Sequence, residues 1–243
     1  MRRCSPAPLE TATEDWLAKR QAEVDGEPTH DAQYQAGRRL FANKASAAFR
    51  DIREKLAAAA PAGKCCYCET DRYRDIDHIR PLRRYPGQAF RWPNYVYACS
   101  SCNQDAKRDG WATIDLDGSL IEEWPDGPPP AGIEAMIDIR AEDPSDHIDL
   151  DLETGVFLPR HPDGVAHMRA TYTLRLLRLN DDPRLRKARL DAVRGFGFLL
   201  GELNTAAALG DTARAARVRR EIAEAPHPSV LAALLNIQAK DSP

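Results

Sequence analysis

Five of the six cysteines in this 243-residue chain fall into two tight groups, Cys65, Cys66 and Cys68 in one and Cys99 and Cys102 in the other, with Cys4 apart. This spacing constrains the fold more than any apolar pattern does. Cys65/Cys68 and Cys99/Cys102 are both C-x2-C pairs, and two such pairs can close a tetrahedral thiolate shell around Zn2+. Thirty residues, 69–98, separate the pairs, so the chain between them must leave the metal and return to it. Four protein ligands leave no position for water. The zinc is therefore expected to be structural and to supply folding free energy to a segment with few large apolar residues. Cys66 offers Cys68 a second possible partner, but the two-residue knuckle spacing favours Cys65 and leaves Cys66 as a small packed side chain.

Composition excludes disorder and fibres, since 43% hydrophobic with 29% charged residues is ordinary for a globular chain. The longest apolar runs, 56–62 and 230–235, are too short to span a bilayer, and residues 1–20 are broken by charges, so neither a membrane nor a secretory route is expected. Clustered thiols without such a route point to a reducing cytoplasm, where they stay available to metal.

The net charge of −3 argues against indiscriminate coating of nucleic acid, yet it hides an asymmetry. Residues 64–114 carry 9 basic and 6 acidic groups, residues 115–153 carry 1 and 13, and residues 154–243 carry 14 and 9. A polyanion would be drawn to the first and last of these and repelled by the middle one.

Four segments follow from the patterning. Residues 1–62 form an N-terminal helical segment, in which Phe41, Ala45, Phe49, Ile52 and Leu56 recur at helical spacing until Pro61 and Gly63 stop it. Residues 63–112 change to short β-prone pieces and a polar stretch after Cys99 that can start a helix near Ser100. Residues 113–165 are acidic strands and loops, with a hairpin over 148–158 turning at Glu153 to Gly155. Residues 166–243 return to helix, although Gly195, Gly197 and Gly201 lower the expected continuity of one element.

The second segment carries the chemistry. Asp75-Ile76-Asp77-His78-Ile79-Arg80-Pro81 alternates as a strand, with Ile76 and His78 on one face and Asp77 and Ile79 on the other. Trp92-Pro93-Asn94-Tyr95 follows, and the second knuckle runs into Asn103 and Lys107, which share a face if a helix starts there. The N-terminus of that helix would aim free N–H groups at a bound phosphate.

Taken together, C-x2-C, D-H-I-x-P, an Asn, and C-x2-C-N-x3-K resemble the HNH endonuclease superfamily over about 45 residues, 64–107. The resemblance implies an α+β, mainly helical protein with a zinc-stapled ββα-metal core between two helical segments. It implies His78 as general base, Asp77 and Asn103 as ligands of a catalytic Mg2+ or Mn2+, and Asn94 as the residue that holds the loop and orients the base. Chemistry supports these roles. Histidine titrates near neutrality, and a carboxylate with a carboxamide is a hard oxygen set suited to Mg2+. Lys107, Arg80, Arg83 and Arg84 are candidates to bind the phosphate backbone. The bland alternatives are a surface ion pair of Asp77 with His78, a turn role for Asn94, and a solvated Lys107.

Lys64-Cys65-Cys66-Tyr67-Cys68-Glu69, the Asp75 to His78 strand, Glu142-Asp143-Pro144-Ser145-Asp146-His147-Ile148 and residues 176–180 are similar to one branch of that superfamily. This branch comprises the nuclease subunits of Septu-type antiphage systems (PtuB) and retron-associated HNH proteins. That similarity implies an ABC or SMC-like ATPase partner (PtuA-type) and leaves the acidic segment as either its docking surface or a shield over the site. DNA is the favoured substrate, RNA such as tRNA the alternative, and a zinc-organised nucleic-acid-binding module without catalysis the reading from another class.

Overall fold

A computed structural model describes residues 1–42, 46–70, 74–125 and 127–240. Its mainly helical α+β character is the class expected from the sequence. The N-terminal segment forms three helices, α1 (Thr11–Asp25), α2 (His30–Phe41) and α3 (Ala47–Ala59). The spacing from Phe41 to Leu56 is split between two of them. Phe41 ends α2, and Ser46 opens α3 by accepting the Phe49 N–H at 3.3 Å, so a good N-cap residue overrides the apolar period. Ala45 lies outside the described residues. Phe41 and Phe49 still meet edge to face, with ring centres 5.2 Å apart.

Strand β1 (Arg74–His78) pairs antiparallel with β2 (Tyr95–Cys99), in register from Arg74 opposite Cys99 to His78 opposite Tyr95. All five residues of β2 are buried, because α3 packs against it and the strand lies within the core. The chain then enters a short helix, Ser101–Lys107, wound wider than an α-helix.

Beyond it, β3 (Thr113–Ile114) is flanked antiparallel by β4 (Leu120–Ile121) and β5 (Ile133–Glu134), and β6 (Ile148–Leu150) forms a hairpin with β7 (Phe157–Pro159). This is the expected hairpin, turning through Gly155 at φ 68°. Four helices complete the chain: α4 (Gly164–Leu176), α5 (Pro183–Ala208), α6 (Thr212–Glu224) and α7 (Pro228–Lys240). Helix α5 is capped by the Asp182 carboxylate and runs unbroken through Gly195, Gly197 and Gly201. Among the described residues, no helix is long and apolar enough to cross a membrane.

The core is continuous across the segment boundaries. It joins Leu17 and Val24 of α1, Ile52 and Leu56 of α3, Val96 and Tyr97 of β2, Ile137 and Ile139 of the acidic segment, and Leu174 of α4. The two-stranded hairpin sits in the middle of it, which holds the strand ends and their polar side chains in fixed positions.

Candidate functional site

Cys65 and Cys68 lie in the loop after α3, Cys99 ends β2, and Cys102 sits in the first turn of the short helix. Their four sulfurs are buried and all within 4.8 Å of one another. Sulfurs bound at about 2.3 Å to a tetrahedral centre lie about 3.8 Å apart. The Cys68 and Cys99 sulfurs are 3.7 Å apart, so the cluster has the dimensions of a zinc site. Local geometry serves it. Glu69 takes a left-handed backbone, φ 59°, and its N–H returns to the Cys65 carbonyl, closing the knuckle. The Cys102 N–H donates to the Cys99 sulfur at 3.4 Å, so the opening turn of the short helix is directed at the thiolate centre and not at an open phosphate position.

Cys66 points away from this centre and meets Cys4. A thiol–thiol hydrogen bond between them draws the Cys4 pKa down and, with burial, pushes Cys66 well up. Cys66 is thus the packed side chain expected from its spacing, whereas the Cys4 contact is missed by sequence reasoning because it joins positions 62 residues apart.

One face of β1 and the short helix form a ladder of two rungs. On the outer rung the Asp75 Oδ2 accepts from the Asn103 and Gln104 side-chain amides, each at 2.8 Å. On the inner rung the Asp77 Oδ1 receives the Lys107 ammonium at 3.1 Å, and its Oδ2 accepts the Tyr67 hydroxyl at 2.7 Å. The match is geometric. Asp75 and Asp77, two apart on the strand, share a face, and Asn103 and Lys107, four apart on the helix, meet them in the same order. Burial pushes the Asp77 carboxyl above its ordinary range, against the pull of the Lys107 charge and the Tyr67 hydrogen bond. Tyr67, whose side chain was not singled out from the sequence, is fully buried and stands between Cys66 and Cys68. The Lys107 ammonium also donates to the His78 carbonyl at 2.6 Å.

The His78 ring lies on the opposite face of β1, packed against Phe41 with ring centres 4.4 Å apart and against Tyr95 at 5.1 Å. Its Nε2 is 2.8 Å from the Ala89 carbonyl oxygen. A carbonyl only accepts, so Nε2 carries the hydrogen and the neutral ring has its lone pair on Nδ1. The Tyr95 hydroxyl donates to the same carbonyl at 2.7 Å and braces it. Asn94 is buried and clamps the chain just after His78. Its Oδ1 accepts the Arg80 N–H at 2.8 Å while its Nδ2 donates to the carbonyls of Arg80 at 3.1 Å and Gln88 at 3.0 Å.

The ladder therefore unites Asp77 with Lys107 and Asn103 with Asp75, and Asn94 with the backbone beside His78. It does not join Asp77 to Asn103, and it leaves Asp77 and His78 facing opposite ways.

The basic candidates are also placed differently from a phosphate-tracking row. Lys107 is buried within the ion pair. Arg80 grips Glu134 through two 2.6 Å hydrogen bonds and reaches Asp138 at 3.1 Å, so the acidic segment folds back onto the strand. Arg84 lies over the Trp124 ring at 4.5 Å, and Arg83, which is exposed, lies over Tyr34 at 5.5 Å. Glu142 is likewise held by Arg169 through two 2.6 Å bonds. Part of the acidic segment is thus neutralised within the molecule, a pairing that composition cannot reveal.

Fold and site together define a class: a mainly helical α+β protein built around four buried cysteines that could hold a metal ion such as zinc. No family model matches the chain, and no curated protein matches it.

Proposed function

We propose that this chain is a phosphodiester hydrolase of the HNH type acting on nucleic acid, with His78 as general base. The observation that carries the reading is the hairpin of β1 and β2 running into the short helix, fastened by four cysteines, with Asp75, Asp77, His78, Asn94 and Asn103 gathered around it. Displacement at phosphorus is in line, so the attacking water and the leaving oxygen need opposite sides. His78 and the Asp77 carboxylate occupy opposite faces of β1, so the reading rests on the His78 face, the hairpin and the cysteine cluster and not on a joint Asp77–His78 centre. In the proposed reaction His78 Nδ1 takes a proton from water, the water oxygen bonds to phosphorus, the bond to the 3′ oxygen breaks, and that oxygen takes up a proton from solvent. The Nε2–H to Ala89 holds the ring in the tautomer this requires.

A divalent cation commonly supplies charge neutralisation in such hydrolysis, and Mg2+ or Mn2+ is the cofactor expected from the sequence. Asp77 and Asn103 do not fit as its ligand pair, because both Asp77 oxygens are engaged and an ammonium stands 3.1 Å away. That same engagement favours the second reading, a zinc-organised nucleic-acid-binding module without catalysis. DNA as substrate, a place in antiphage defence and an ABC or SMC-like ATPase partner extend the proposal on sequence resemblance alone.

The test is incubation of the purified chain with plasmid and with total RNA in Mg2+, alone and with a partner ATPase. Cutting by wild type that His78→Ala abolishes, with zinc content and circular dichroism unchanged, is the expected result. Cys99→Ser should instead release zinc and unfold the hairpin. Undiminished cutting by His78→Ala would remove the histidine from the chemistry, and binding without cutting by wild type would favour the module.

A further inference from the structure

Lys107 and Arg80, two of the cations expected to hold phosphate, are matched by carboxylates inside the molecule, so positive charge open to a polyanion has to lie elsewhere. Residues 1–62 carry 10 basic and 9 acidic groups, but residues 36–53 within them carry 5 and 1. Arg38 and Arg39 stand in the last turn of α2, and Arg50 and Arg53 in the first two turns of α3. All four are exposed, and among the described residues none forms an ion pair or a side-chain hydrogen bond. The acids of the two helices do not cancel them. Asp31 is in the first turn of α2, Asp51 accepts the Glu10 N–H at 3.1 Å, and Glu54 beside Arg53 leaves the group positive.

Helix electrostatics explains half of this arrangement. Arg38 and Arg39 face the negative end of the α2 dipole, where cations are favoured. Arg50 stands near the positive end of α3, where a cation is disfavoured, and no described carboxylate holds it there.

The cluster borders the candidate base. Phe41, two residues after Arg39, packs on the His78 ring with centres 4.4 Å apart, and Phe49, next to Arg50, packs on Phe41 at 5.2 Å. The arginines therefore flank the rings that back His78, on the face of β1 away from the Asp77–Lys107 pair. A guanidinium is permanently charged, and its planar fork matches the oxygens of a phosphodiester.

We infer that the backbone of a nucleic-acid strand is held by Arg38 and Arg39 of α2 and by Arg50 and Arg53 of α3, which lead it across the His78 face. This rests on the hydrolase reading and moves the phosphate contacts from Lys107 and the arginines after β1 to the N-terminal helices.

Salt-dependent binding tests the assignment without turnover. A labelled DNA duplex and a labelled RNA strand are titrated by anisotropy across a KCl series, with zinc-loaded full-length protein and no added divalent cation. Wild type is compared with Arg38→Gln/Arg39→Gln, with Arg50→Gln/Arg53→Gln and with a control on α6, Arg219→Gln/Arg220→Gln, whose arginines are also exposed. Each of the first two variants should lower the slope of log K against log salt by about 2, and weaken binding about 10- to 100-fold at about 0.1 M salt. The control should keep the wild-type slope and affinity. All three should melt no lower than wild type, because the side chains removed hold nothing in the fold.

Unchanged slopes in both the α2 and the α3 variants would overturn the inference, as would an equal loss in the α6 control or a wild type that binds neither probe. Failure of the hydrolase reading has its own signature, slopes altered as described with nucleic acid left uncut in Mg2+.

Discussion

At the scale of single residues, the hairpin depends on side chains whose polar atoms are all spoken for. Asn94 is 1% exposed and bonds the Arg80 N–H, the Arg80 carbonyl and the Gln88 carbonyl. Asn94→Ala strands these backbone groups. We expect a loss of about 3 kcal/mol in urea unfolding, more than an exposed turn asparagine would give. The cysteine pairs and the Asp77-His78 step were legible in sequence because their spacing carries the geometry: two residues between thiols, alternate faces on a strand. The partners of those residues were not. Tyr67 to Asp77, Lys107 to Asp77 and Arg80 to Glu134 join positions separated by 10, 30 and 54 residues, and only the folded register brings them together.

Whole elements were read more securely than the contacts between them. The hairpin at 148–158, the helices beyond α4 and the helix after Cys99 were all visible as patterns, since each is written in local periodicity and turn residues. Two or three helices are legible over residues 10–60 and three form, but the position of the break between α2 and α3 is not, because the apolar spacing continues through it while Ser46 restarts the helix. Gly195, Gly197 and Gly201 lower the expected continuity of α5, yet a helix capped by Asp182 and packed against α6 and α7 tolerates them. A different glycine is indispensable. Gly155 has φ 68°, and a Cβ there would lie 2.7 Å from the Arg186 carbonyl oxygen, pressing the β6–β7 turn against α5. Gly155→Ala should lower stability by about 2 kcal/mol, seen as a drop in melting temperature, whereas Gly197→Ala, with open space around its Cβ, should not destabilise the helix.

Across the molecule, half-buried arginine–carboxylate pairs bind the acidic segment to its neighbours, which gives stability a defined acid dependence. Hydrogen bonds from Arg169 hold the Glu142 carboxyl below its ordinary value of 4.5. A depressed carboxyl contributes stability in full above the unfolded value and loses it as pH falls through the folded one. Denaturant midpoints should therefore decline as pH drops below about 4.5, and less steeply in Glu142→Gln, which lacks that titration.

The grip of Arg80 on Glu134 and Asp138 reaches further than acid stability. Each cation already matched by a carboxylate within the protein releases no counterions when a polynucleotide arrives, and Lys107 is spent in the same way. Under the proposed function, binding of nucleic acid should accordingly depend on ionic strength with a shallower logarithmic slope than the positive residues near β1 would suggest. Anisotropy titrations across a salt series would read that slope directly, and Glu134→Gln, by loosening the internal anion, should make it steeper.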